Sequence, residues 1–142
     1  MTATPPDTAI ETVSQKPAYQ MAAMLIGIAV GPFLAPKPFD TLVPNELPGS
    51  PRFYTYASGV AEVGVGTMLL VPEARRAGAL AAVALFLAVF PANVNMVRMW
   101  WNKPGAQKWP MRIAALARLP LQVPMIVTAL RIHRNAPLPR PN

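Results

Sequence analysis

Residues 54–72, YTYASGVAEVGVGTMLLVP, form an apolar run of membrane-spanning length with one carboxylate, Glu62, near its middle. That acid narrows the choice of fold, because an ionisable group at bilayer depth costs about 2.5 to 3.5 kcal/mol on insertion scales. Such a group normally faces the interior of a helix bundle and meets a polar partner there. The chain must therefore supply companion helices and a counter-charge. Residues 19–36, about 77–100 and about 111–132 are further apolar runs close to the roughly 20 residues that cross a 30 Å hydrocarbon core. The pattern predicts an all-α, integral membrane four-helix bundle with spans at about 19–36, 54–71, 77–100 and 111–132. A disordered tail is expected over 1–17 and a disordered basic one over 133–142.

Composition agrees with a membrane class. The 142 residues are 53% hydrophobic and 13% charged, with mean hydropathy +0.31, whereas a soluble domain carries about 25% charged residues. The net charge of +7 would suit nucleic acid only as a stripe on a soluble surface. Here the basic residues collect at the ends of the apolar runs, where lipid headgroups lie. With no cysteine there is no disulfide, no CxxC pair and no thiolate metal site. The single histidine, His133, sits in the C-terminal tail, so a bis-histidine haem cannot be built within the membrane from this chain. Neither a nucleophile with its base nor a phosphate loop is present, so no catalytic residue and no metal site is assigned.

The segments between the runs are read from their turn formers. Residues 37–53, KPFDTLVPNELPGSPRF, hold four prolines and a glycine and break either neighbouring helix. Their apolar residues Phe39, Leu42, Val43 and Leu47 are spaced to lie as a short cap on the bundle mouth or to leave a plain surface loop. PEARR reads as a connector, with Arg75 and Arg76 as anchors at a membrane face. Trp100, Trp101 and Trp109, interleaved with Arg98, Lys103 and Lys108, read as an interfacial belt. Gly27 and Gly31 form a GxxxG pair suited to close helix contact.

Helical rise then sets depth. Glu62 lies about 12 Å in from the long-loop side, and Asn93 and Arg118 about 10 Å each, at 1.5 Å per residue. Ser58 lies one turn nearer the loops on the Glu62 face, and Gln122 one turn deeper on the Arg118 face. These residues predict one polar layer containing a Glu62–Arg118 ion pair, with Asn93 and Gln122 satisfying the remaining donors and acceptors. The layer is either interhelical glue or a small pocket for a lipid headgroup, quinone or partner side chain. Pro91 should free a carbonyl about one turn earlier, and Pro120 and Pro124 should bend the last span. Lysines and arginines divide six to each side, so charge alone does not orient the chain.

At these residues a family resemblance emerges. FDTLVP, LPGS, YASGVAE, PEARR, FPANVNM and ARLPLQ, in this order from Phe39 to Gln122, resemble the DoxX-like family of small four-helix membrane proteins. The resemblance implies a multi-pass protein of the cell membrane with cytoplasmic termini. Its motif positions here are Ser58, Gly59, Glu62, Arg75, Arg76, Pro91, Asn93, Arg118, Pro120 and Gln122. It further implies either of two jobs, an accessory or scaffold protein or a membrane subunit of a quinone-linked oxidoreductase. No cofactor is evident from the residues themselves; a quinone is the one the family would suggest. Expected partners are membrane lipids and another membrane protein or oxidoreductase subunit, and no nucleic acid.

Overall fold

The computed structural model describes residues 13–105 and 108–138, and among these there is no strand. Five helices follow in order: α1 (Lys16–Leu34), α2 (Pro36–Asp40), α3 (Pro51–Leu70), α4 (Pro72–Trp101) and α5 (Trp109–Asn135). Each begins with a proline in its first two positions, where the missing N–H has no intrahelical partner to lose. Three of them, α1, α4 and α5, are long and apolar enough to cross a membrane. The 20-residue α3 has the length, but Arg52, Ser58, Glu62, two threonines and three glycines lower its mean apolarity.

Helix α1 packs along α3, α3 along α4 and α4 along α5, while α5 touches α1 only lightly. The α1–α3 contact is set by glycines seven residues apart on one face of α3. A Cβ at Gly66 would stand 2.7 Å from Ile26 Cγ1 and 3.2 Å from the Ala22 carbonyl oxygen, and one at Gly59 would meet the Phe33 ring at 3.0 Å. The GxxxG pair of α1 does not act as a unit. Gly31 receives the Phe39 ring, whereas a Cβ at Gly27 would meet nothing within 4 Å. The buried core is small-residue and aliphatic, with Ala22, Leu25, Leu69, Ala79, Ala82 and Phe86 at its centre. Outward faces are apolar as well, with Leu80, Leu87, Val123 and Leu121 exposed. An apolar exterior of that extent is what lipid would cover.

Several expected boundaries move. PEARR is the first turn of α4, because Val71 alone separates α3 from α4. Arg75 is accordingly no headgroup anchor. It is 1% exposed, and its Nε donates to the Leu69 carbonyl at 2.7 Å and its Nη2 to the Leu70 carbonyl at 3.0 Å. Those carbonyls end α3, where no intrahelical donor follows and the helix dipole favours a cation. Arg75 Nη1 reaches Gln15 Oε1 at 3.3 Å, and the guanidinium carbon lies 4.8 Å from the Tyr19 ring centroid. Gln15 in turn donates to the Asn135 carbonyl at 3.0 Å. The proposed C-terminal tail starts later than residue 133: α5 runs to Asn135, His133 Nδ1 lies 3.0 Å from the Arg76 carbonyl, and Ala136 is buried. The N-terminal tail ends earlier than 17, since α1 begins at Lys16; residues 1–12 and 139–142 lie outside the described ones.

At the opposite end the long segment is ordered as a cap. Asp40, closing α2, accepts from Thr55 Oγ1 at 2.7 Å and from Arg52 Nε at 2.8 Å. Asn95 Nδ2 donates to the Leu42 carbonyl at 3.0 Å, tying the cap to α4. The Thr55 hydroxyl, with Arg52 adding to it, holds the Asp40 carboxyl below the usual carboxylate range.

Arg75→Ala should lower the unfolding free energy in detergent by about 3 kcal/mol, since two buried carbonyls lose a charged donor. Arg75→Lys should recover no more than about half, because an ammonium cannot fork to both carbonyls and stack on Tyr19. Thermal melts followed by circular dichroism would read both. For Asp40, a carboxyl whose folded pKa is depressed stabilises the fold above its unfolded pKa and loses that contribution as pH falls. Amide protection over residues 41–50, taken relative to intrinsic exchange at each pH, should therefore fall below about pH 4. In Asp40→Asn the same protection should be lower at neutral pH and indifferent to acid.

Candidate functional site

Residues Thr55, Glu62 and Leu69, seven apart, lie along one line of α3. Thr55 and Leu69 are buried, so Glu62 points into the same interior. It is half-buried, and its Oε2 is enclosed with no hydrogen-bond partner. On α5 the corresponding line is Ala115, Gln122 and Ala129, all buried. Gln122, 6% exposed, uses both ends of its amide. Its Nε2 donates to the Phe86 carbonyl, and its Oε1 accepts from Asn93 Nδ2 at 3.3 Å. Phe86 lies five residues before Pro91, where the proline ring disturbs the α4 hydrogen-bond ladder and leaves carbonyls short of donors. The expected link between Asn93 and Gln122 is thus present, anchored on the proline-disturbed turn.

The expected Glu62–Arg118 ion pair is not formed. The two ion pairs among the described residues are Arg52–Asp40 at 2.8 Å and Arg98–Glu46 at 3.4 Å. Arg118 is exposed, and the one side-chain acceptor it finds is Met96 Sδ, 3.9 Å from Nη1. The reason lies in the packing: α5 rests on α4, not on α3, so the arginine lies over α4 while the carboxylate stays with α3. Equal depth along the helices did not translate into contact. Ser58 also stands apart from the layer, since its Oγ donates to the Thr55 carbonyl of its own helix at 3.1 Å.

Two polar residues do more than their patterns indicated. Asn93 and Asn95 are about 200° apart around the helix, so only one can face Gln122; the other is free to reach Leu42. That angular offset was available in the spacing. Arg112, grouped above only with the basic residues of the loop side, donates to the carbonyls of Trp100 at 3.1 Å and Lys103 at 2.6 Å and lies over both Trp101 and Trp109. It fixes the turn joining α4 to α5, and nothing short of the fold indicated this.

The arrangement offers an acceptor on α3 and a donor on α5 at one level, held apart, with a satisfied amide pair beside them. No cluster of three or more His, Cys, Asp or Glu suited to a metal exists among the described residues. What the helices define is an all-helical protein with three helices able to cross a bilayer. It belongs to the family described as a domain of unknown function, DUF8561, whose model matches residues 21–133, from within α1 to near the end of α5. No curated protein and no solved structure matches the chain.

Without a pair to break, Glu62→Gln should leave the melting temperature unchanged or raise it, because it removes an unpartnered buried carboxylate oxygen. A loss of about 3 kcal/mol or more would instead mean that the two charges meet. Exchanging Glu62→Arg with Arg118→Glu should likewise restore nothing.

Proposed function

We propose that this chain is a multi-pass membrane protein, a four-helix bundle with α3 as its fourth span, acting as a non-enzymatic accessory or scaffold subunit of the DoxX-like kind. The observation that carries this reading is the enclosed, unpartnered Glu62 oxygen opposite an arginine occupied only by a thioether. Opposite charges on two helices that do not pack on each other, and so do not pair, leave a donor and an acceptor for a group from outside the chain. A lipid headgroup, a quinone or a polar side chain on a partner helix presents such a group. The termini are assigned to the cytoplasmic face by the family resemblance, and the meeting of Gln15 with Asn135 supports an even number of crossings.

The second reading, a membrane subunit of a quinone-linked oxidoreductase, draws on the same geometry: a quinol hydroxyl would donate to Glu62 and a quinone oxygen would accept from Arg118. This chain then positions the headgroup, and another subunit supplies the redox centre.

Gentle extraction from the native membrane, followed by mass spectrometry of bound lipids, quinones and proteins, tests both readings. The double variant Glu62→Ala, Arg118→Ala should lose one specific component while melting within about 1 kcal/mol of the parent, as expected for residues with no internal partner to lose. A bound quinone would select the second reading. An unchanged set of bound components would overturn both.

A further inference from the structure

The cap formed by α2 and the segment after it leans on α1 through Phe39 and on α3 through Asp40, and is tied to α4 by the Asn95 bond to the Leu42 carbonyl and the exposed Arg98–Glu46 pair. A groove of about 390 Å³ is left between the cap and the ends of α4 and α5. That size falls in the range of small-molecule sites, about 300 to 1,000 Å³. Its walls are Phe39, Leu42, Met96, Met99, Trp100 and Met111. Lys103 stands at the rim, with its Nζ 4.5 Å from the Trp100 ring centroid. Flexible thioether side chains let such a slot adapt to an irregular apolar chain. Tryptophans at this level mark the headgroup depth of a bilayer.

Charge decides the occupant. The two carboxylates of this end are taken, Asp40 by Arg52 and Glu46 by Arg98. Lys37, Lys103, Lys108 and Arg112 face no carboxylate within ion-pair distance among the described residues. Three thioethers would suit a soft cation, but this cationic rim, together with Arg118 on Met96, repels one. An apolar slot beside unpaired cations at headgroup depth fits an anion carrying an acyl chain.

We propose that the groove binds one anionic glycerophospholipid, with an acyl chain against the methionines and the phosphate on Lys103. This inference rests on the membrane reading above but not on the Glu62 site. The test uses the full chain in nanodiscs of phosphatidylcholine doped with phosphatidylglycerol, with retained lipid counted by native mass spectrometry. Phosphatidylglycerol should be retained about tenfold over phosphatidylcholine at matched mole fraction. Lys103→Gln should reduce that preference about fivefold, the factor one cation contributes near an anionic surface, and Met99→Trp should abolish it by filling the slot. Arg134→Gln, which removes the same charge at the far end, should change nothing, and the Glu62→Ala, Arg118→Ala variant should keep the preference. Equal retention of the two lipids overturns the proposal. So does an equal loss in Arg134→Gln, which would make the preference a property of net charge.

Discussion

A guanidinium enclosed by protein with no carboxylate beside it has to be held by dipoles, and in this fold the Arg75 guanidinium is held by four residues from three parts of the chain. The Leu69 and Leu70 carbonyls, the Gln15 amide and the Tyr19 face surround it. Removing any one leaves a charged donor in an apolar surround, where an unmade hydrogen bond is costly. The arrangement therefore fixes where α3 stops, where α4 starts and how the residues before α1 fold across them. Through Gln15 and Asn135 it also sets the seat of α5 at this end. At the other end no single group has that reach, and Asp40, Asn95 and Arg112 each secure one connection. The loop-side mouth is accordingly secured piecemeal, and the Met-lined groove opens there.

Three of the four long helices were legible as spans because apolarity and length are additive along a run, and additive properties survive without knowledge of neighbours. The α3 helix was legible as a helix for the same reason, though its small and polar residues leave it below the apolarity of the others. Pro91 pointed to the disturbed carbonyls that Gln122 reaches, whereas the prolines that open the four long helices read as breakers and left the predicted starts two to five residues late. What the pattern could not supply was azimuth. Glu62 and Arg118 sit at matching depths, and depth is one coordinate of three; the second depends on whether α5 lies against α3 or α4, which no local signal encodes. Arg75 shows the converse. Its neighbour Arg76 has the same residue type and flanks, and one step of about 100° around the helix separates a buried guanidinium from a partly exposed one.

The placement of the polar groups separates structure from chemistry. Arg75, Gln122, Asn93 and Asn95 are each joined to a carbonyl or amide within the chain and account for themselves as parts of the frame. Glu62 and Arg118 are not so joined; the first lies on the inner line of α3 and the second is exposed on α5, on helices that share no extensive contact. Polar groups that a fold could have paired and did not are where an outside partner has most to contribute. The Met-lined groove beneath α2 is a different feature, with apolar walls and a cationic edge in place of opposed charges.

The single-residue join at Val71 ties the placement of two helices into one. With no loop between them, α3 and α4 turn against each other within one contiguous stretch of chain. Arg75 meets its carbonyl partners there, because they lie five and six residues upstream on the adjoining helix. The corner thus carries most of the hydrogen bonding of its buried cation within its own local sequence, and a change in the length of the join would move the acceptors away from the donor.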